Sequence, residues 1–440
     1  AVRNDRSHAG EGRAAATIAA IMTATTVRES ARLRIAADVG GTFTDLAVFD
    51  ERDRRLLLGK SLTTPERIVA GIGHGLAKSG GRFDEAALFL HGATIAINTL
   101  LERSGARTAL VTTRGFRDIY EIGRVNRPEA YNLFFRKHAP LVERALRFEV
   151  GERMTAAGEV LAPLDESELA GICAELKKER IEAVAILFLH SYRNPAHEIA
   201  ARRYFERALP GCYITASHEL SQEYREFERT STVAANAYIG PRVQSYLAGI
   251  ESHLADERFG GRFLVVQSTG GLYNAAQAQR ECIRMLESGP AAGVIGTRAL
   301  CRAIGLDKAI AFDMGGTTAK SGVILEGEVL MTSNSMIGGY NEGLPVQIPM
   351  IDIQEVGTGG GSIARLGPAR SLRVGPQSAG ASPGPVCYGL GGTEPTVTDA
   401  NLLLGRLDPA HFLGGDMRLD VERTRTAMHE QIGGPLGLSI

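Results

Sequence analysis

Short apolar runs alternate with amphipathic stretches along this chain, the pattern of strands interleaved with helices. Leu33 to Ala37 predicts a strand that runs into Asp38-Val39-Gly40-Gly41-Thr42. Leu46–Phe49 and Arg55–Lys60 predict the next two strands. Thr64-Pro65 predicts the start of a helix to about Lys78, with Thr64 as N-cap and Pro65 at the first helical position, where no N–H is needed. A strand over Ala87–Leu90 ends at His91-Gly92, a helix covers Thr94–Arg103, and a strand covers Thr108–Thr112. After an Arg-rich stretch from Arg114 to Arg144, Asp165 with Glu168 predicts a capping box for a helix to Glu179. Ala183–Leu189 is apolar throughout and predicts a buried strand; Pro195 opens the next helix. Residues Ser221–Asp256 are mostly helical in pattern, with a break expected at Gly240-Pro241, a hinge or domain join. In the second half, strands are predicted over Phe263–Gln267 and Ala309–Phe312, and Ser288-Gly289-Pro290 opens a helix to about Ile304. Gly- and Pro-rich loops dominate from Gly338 to Pro395. The whole predicts an α/β protein in two halves.

One motif occurs twice. Ile35-Ala36-Ala37-Asp38-Val39-Gly40-Gly41-Thr42-Phe43-Thr44 matches Ile310-Ala311-Phe312-Asp313-Met314-Gly315-Gly316-Thr317-Thr318-Ala319. Each copy is an apolar strand, an Asp, an apolar residue, Gly-Gly-Thr and a return strand. Paired glycines let a tight turn bring backbone N–H groups against phosphate oxygens, and Thr hydroxyls add donors. An Asp at the strand end can hold Mg²⁺ or orient an attacking group. A single such turn reads as an ordinary hairpin; two copies with Asp at the same offset point to phosphate. The Gly-Lys-Ser/Thr ending of a Walker loop is missing.

A length of 440 residues allows two or three domains. With 44% hydrophobic and 22% charged residues the composition is that of a soluble globular protein. A net charge of −1 supplies no field toward nucleic acid or anionic membranes. The absence of Trp and the scarcity of aromatics argue against base- or sugar-stacking surfaces. Cys173, Cys212, Cys282, Cys301 and Cys387 are scattered, none at metal-ligand spacing, and read as reduced thiols of a cytoplasmic protein. No stretch approaches the roughly 18 apolar residues of a membrane-spanning helix. Residues 1–31 read as a disordered tail or a misplaced start, with Met22 as the natural initiator; Ala14–Thr26 is too weakly apolar for a signal peptide.

The doubled turn resembles the sugar-kinase, Hsp70 and actin superfamily, in which two related domains offer phosphate hairpins across a cleft for Mg-ATP. That resemblance implies a two-domain ATPase fold, with one domain over 32–215 and a second over 225–440. Longer motifs narrow it. Asp38-Val39-Gly40-Gly41-Thr42-Phe43-Thr44-Asp45 looks like the opening of the hydantoinase A and 5-oxoprolinase family. His91-Gly92-Ala93-Thr94 through Asn98-Thr99-Leu100 is similar to its His-Gly-Thr-Thr segment, and Gly123-Arg124-Val125-Asn126-Arg127-Pro128 to its Gly-Arg-x-x-Arg-Pro loop. Gly359-Gly360-Gly361-Ser362, the Gly375–Pro385 segment and Glu394-Pro395-Thr396-Val397-Thr398-Asp399-Ala400 are also close. The resemblance implies an ATP-dependent hydrolase of a cyclic amide (a hydantoin, 5-oxoproline or a lactam) that phosphorylates the substrate carbonyl. It further implies Mg²⁺ or Mn²⁺ and a hydantoinase B-type partner in a hetero-oligomer. A ketone carboxylase subunit is the nearest alternative, and a non-catalytic actin- or Hsp70-like ATPase module the next. Two departures stand out. Gln354 and Glu355 occupy positions where the family often has His and Thr. The chain also ends at Ile440, without the family's later Gly-Gly-Ala-Gly segment, which reads as C-terminal truncation of the ATPase fold.

Asp38 and Asp313 are the candidate catalytic and metal-organising pair, since an acid after an apolar strand is costly unless paired or ligating. Gly40, Gly41, Thr42, Thr44, Gly315, Gly316, Thr317 and Thr318 are the candidate phosphate donors. Gly359, Gly360, Gly361 and Ser362 read either as further backbone donors to nucleotide or as a close-packed loop. Lys320 reads either as a phosphate-neutralising charge or as a solvated strand lysine. His91, at a strand end, is a candidate metal ligand or proton donor, with a hydrogen-bonded structural role as the plain alternative. Thr94 and Asn98, four apart on one helix face, are candidate substrate contacts. Arg124, Asn126 and Arg127 form either a grip for an anionic or amide substrate or a surface ion-pair loop. Cys387 reads as a buried small residue.

Overall fold

The structure is a computed structural model that describes residues 32–40, 43–62, 68–124, 129, 131–135, 137–339 and 343–440. The expected Thr64-Pro65 helix start and the N-terminal tail lie outside the described residues. The chain opens with β1 (Leu33–Val39), β2 (Phe43–Asp50), β3 (Arg55–Leu62), α1 (Ile68–Ser79), β4 (Ala86–Ala93) and α2 (Ile95–Leu101). β1 shows period-two patterning: Leu33, Ile35, Ala37 and Val39 are buried, while Arg34 and Asp38 are exposed. It pairs antiparallel with β2 and parallel with β4, which places it at the centre of its sheet.

Next come β5 (Thr108–Thr113), β6 (Arg147–Val150), α3 (Glu166–Lys178), β7 (Ala183–Leu187), α4 (Ala196–Ala208) and β8 (Tyr213–Ala216). These four strands form an all-parallel sheet in the order β8-β7-β5-β6. β5 and β7 are buried at every position, as strands covered on both faces require. Asp165 caps α3 by accepting from the Ser167 amide, but no capping box forms: Glu168 accepts from the Gly151 amide at 2.7 Å instead.

The break expected at Gly240-Pro241 does not occur. α5 (Glu226–Asp256) is one 31-residue helix with Pro241 inside it. Its middle is buried on all sides, so packing offsets the cost of the proline. The Tyr238 carbonyl, in the turn before the proline, accepts from the Ala106 amide at 2.9 Å. Gly240 is needed for a separate reason, since a Cβ there would sit 2.4 Å from the Tyr213 ring.

After α5, β9 (Arg262–Val266) and β10 (Leu272–Asn274) return to the first sheet, whose order is β10-β9-β4-β1-β2-β3. That sheet therefore takes strands from both sides of the domain boundary expected between 215 and 225. α6 (Ser288–Ile304) then leads to an antiparallel sheet built on β11 (Ala309–Met314), β12 (Ala319–Leu325) and β13 (Ile353–Val356). α6 packs on one face of it, with Val294 over Gly322, where a Cβ would clash at 2.4 Å. On β11, Ile310 and Phe312 are 69% and 65% exposed, so the other face of this sheet is apolar and bare. Among the described residues no helix is long and apolar enough to cross a membrane.

Candidate active site

Asp38 lies near the end of β1, opposite Asp45 on β2 and Gly92 on β4. Its carboxylate rests against two glycines. A Cβ on Gly92 would come within 3.0 Å of Asp38 Oδ1, and one on Gly289 within 2.9 Å. Gly289 is the second residue of α6, so the acid faces the start of a helix, where backbone N–H groups favour negative charge. Ser288 fastens that start to the sheet: its hydroxyl donates to the Ala93 carbonyl at 3.0 Å and accepts from the Ala93 amide at 3.1 Å. Asp38 keeps a solvent-facing surface at the floor of the gap, yet protein crowds it closely. Desolvation pushes its pKa up to about 6, helped by Asp45 and Asp313 and opposed by Lys60 and Lys320. Lys60 is itself held by Asp45 at 2.6 Å.

On the ATP-using role that the sequence resemblance implies, Gly289→Ala should lower ATP turnover about tenfold, because the added methyl displaces the carboxylate by part of an ångström. Steady-state assay beside thermal melting checks this. Wild-type turnover in a stably folded variant would mean that Asp38 does not need the helix start.

Asp313 lies near the end of β11 and is exposed, opposite Lys320 in the register. The Gly315 amide donates to the Thr318 carbonyl at 3.0 Å and closes the turn. The amides of Gly316, Thr317 and Thr318 are donated to no group among the described residues. Asp313 lies close enough for its charge to help raise Asp38, so the ends of the two repeated strands are neighbours. Gly40 belongs to the first turn; Gly41 and Thr42 lie outside the described residues.

Of its two readings, nucleotide donor or close-packed loop, the triple-glycine loop takes the second. The Gly360 amide donates to the Gly315 carbonyl at 2.9 Å and the Gly361 amide to the Gly316 carbonyl at 2.7 Å. The Gly359 amide goes to Ser362 Oγ at 2.9 Å, and the Ser362 amide to the Gly359 carbonyl at 3.0 Å. All four amides are engaged within the protein, and Ser362 is fully buried. The loop is a brace laid along the second turn. Thr398 secures it from behind, its amide and hydroxyl both donating to the Gly360 carbonyl, at 2.7 and 2.8 Å.

Other candidates separate in the same way. Thr44 is fully buried and offers no surface to a ligand, which removes it from the phosphate donors. Thr94 and Asn98 do share a face, with Asn98 Nδ2 donating to Thr94 Oγ1 at 3.2 Å, and Thr94 bonds back to the Val39 carbonyl at the end of β1. Arg124 takes its ion-pair alternative, with a bidentate contact to Glu228 at 3.0 and 2.6 Å; Asn126 and Arg127 lie outside the described residues. Lys320 is not solvated: its Nζ pairs with Glu287 at 2.8 Å. Cys387 is buried against Leu402 and Leu419, as expected. Among the described residues, sequence reasoning missed Gly92, Gly289, Glu287, Lys60 and Asp45 as neighbours of the acid pair. Of these Asp45 and Gly92 lay inside motifs already singled out and Gly289 in a helix opening, while Glu287 and Lys60 carried no signal.

His91 is corrected. It sits in the core, fully buried, stacked on Phe89 and accepting from or donating to the Tyr246 hydroxyl at 2.7 Å through Nε2. Register decides this, since His91 pairs with Ala37 while the next pair, Asp38 and Gly92, faces the gap. Burial pushes its pKa down to about 4, from 6.5 in an unfolded chain. Between those values the unfolded chain binds the extra proton, so stability falls as pH drops through the window, and nothing is lost above it. The shift corresponds to roughly 3 kcal/mol when complete. Urea unfolding at pH 7 and pH 4.5 should show a smaller loss for His91→Gln than for wild type; equal losses would place the titration elsewhere.

The fold is that of a mixed α/β protein with two acid-tipped strands whose ends lie near one another. Residues 34–209 match the hydantoinase/oxoprolinase N-terminal region and residues 229–440 match hydantoinase/oxoprolinase. The chain belongs to the hydantoinase/oxoprolinase family. It is 36% identical to the caprolactamase subunit alpha of Pseudomonas jessenii, over 92% of this chain and 59% of that protein. An uncharacterised protein of Methanocaldococcus jannaschii is 42% identical, over 91% of this chain and 61% of that one. Its fold is that of two solved structures. Nucleotide-free acetone carboxylase matches with a TM-score of 0.75 and 30% identity, covering 93% of this chain and 60% of that one. The ATP-dependent caprolactamase of Pseudomonas jessenii matches with a TM-score of 0.74 and 34% identity, covering 92% and 60%. The chain thus spans about three fifths of the length of these relatives.

Proposed function

We propose that this chain is the ATP-using part of an enzyme that hydrolyses a cyclic amide, a hydantoin, 5-oxoproline or a lactam. The ring carbonyl oxygen attacks the γ-phosphorus and ADP leaves. Water then adds at the activated carbon, the C–N bond opens and phosphate departs. A hydantoinase B-type partner completes the hydrolysis. The observation that carries this reading is the second turn, with three undonated amides beside an exposed Asp313 and opposite Asp38. Those amides would take phosphate oxygens, joined by the Thr317 and Thr318 hydroxyls.

The acid pair also fits Mg²⁺, or Mn²⁺ in its place. Desolvation and like charge raise Asp38, the condition a cation relieves. Among the described residues no group of three or more metal-binding side chains occurs. Mg²⁺ characteristically makes do with one or two carboxylates, waters and substrate phosphates. Asp38 and Asp313 would hold it, and it would supply charge neutralisation at the β- and γ-phosphates.

The solved acetone carboxylase, an enzyme of ATP-dependent acetone carboxylation, matches this fold as well as the caprolactamase does, which keeps a ketone-carboxylase subunit as the second reading. ATP consumption of the full-length protein with its partner, screened against hydantoins, 5-oxoproline, lactams and ketones plus bicarbonate, separates the two. Stimulation by cyclic amides alone supports the first reading. A flat response to every cyclic amide sinks it.

A further inference from the structure

Outside the two strand ends lies an ion pair that the reaction outlined above does not use. Lys320 Nζ meets Glu287 Oε2 at 2.8 Å, with the two side chains only 13% and 8% exposed. Glu287 is the residue immediately before α6, and its own side chain does not cap the helix. Two residues on, Gly289 carries the Asp38 carboxylate. Lys320 lies on β12, directly across from Asp313 on one side and Glu355 on the other, with Glu355 Oε1 at 4.0 Å. One ammonium therefore ties the strand that returns from the second turn to the helix start that seats the first acid. A half-hidden pair of this kind costs desolvation, and its return here is a fixed geometry rather than net stability.

We infer that Glu287 and Lys320 are positioning residues that set the separation of Asp38 and Asp313 across the gap. This rests on the phosphoryl-transfer reading of that gap. On this inference the pair acts through α6 and β12 rather than through contact with nucleotide or substrate.

The test is a double-mutant cycle in the full-length protein: Glu287→Gln, Lys320→Met and the two combined, with Lys320→Arg as the conservative control. Each single change should lower kcat for ATP turnover at least about tenfold, with KM for ATP within roughly threefold, as loss of alignment without loss of contact predicts. The double variant should fall no further than either single one. Lys320→Arg should recover most of the rate. Additive losses, or a harmless Glu287→Gln beside a damaging Lys320→Met, would mean that Lys320 acts on phosphate directly and would overturn the inference.

Hydrogen exchange supplies a readout that needs no substrate. The amides of Gly315, Gly360 and Gly361, which are hydrogen-bonded at the second turn, should exchange faster in both single variants than in wild type. If the wild-type protein consumes no ATP with any cyclic amide, the functional reading fails on its own. Unchanged exchange at the second turn removes the pair's role independently of that outcome.

Discussion

Asp313→Ala should reduce ATP turnover by on the order of a thousandfold while leaving secondary structure and melting temperature near wild type. The two halves of that expectation have separate causes. Asp313 is exposed, and no hydrogen bond or ion pair of its side chain occurs among the described residues, so truncation breaks no buried contact. It also removes one of the charges that raise Asp38, which leaves the folded state no worse electrostatically. In the proposed reaction turnover depends on charge placed where phosphate and metal would meet, and in phosphoryl transfer positioning and electrostatics supply nearly all of the acceleration. Asp313→Asn keeps the shape and removes the charge, so it should lose nearly as much. Turnover measured beside circular dichroism decides: a well-folded variant that still consumes ATP at the wild-type rate would remove Asp313 from the chemistry.

The parts of this molecule legible in its sequence are those written locally. The period-two pattern of β1, the continuous apolar run of β7 and the doubled Asp-x-Gly-Gly-Thr segment each need only a few adjacent residues to be recognised. What local pattern hides is which partner a group meets. His91 stands at a strand end like a site residue, but side chains alternate between faces, and only pairing with β1 and β9 shows that His91 goes to the core and Asp38 to the gap. Pro241 has the signature of a helix break; burial of α5 between its neighbours overrides it. Lys320 finds Glu287 across 33 positions of chain, a distance at which no motif speaks. Gly92 and Gly289 are glycines for the same reason: each leaves room for an acid from a different strand.

The triple-glycine loop teaches the same lesson and supports the other large effect. Its sequence invites a nucleotide contact, because glycines bare their amides. In the folded chain the Gly360 and Gly361 amides point at the second turn, and Gly359 is needed because two backbones run too close for side chains. A Cβ on Gly359 would lie 2.6 Å from both the nitrogen and the carbonyl carbon of Thr317, and 2.7 Å from the carbonyl carbon of Gly316. No flexible side chain can yield there; one of the two loops must move. Gly359→Ala should therefore destabilise the protein by about 1–3 kcal/mol and lower ATP turnover by roughly a hundredfold. Gly357, nearby and with open space around its missing Cβ, provides the control: Gly357→Ala should leave both quantities near wild type. If Gly359→Ala matched Gly357→Ala in rate and stability, the loop would be free of the second turn, and the three undonated amides would have to hold their geometry without it.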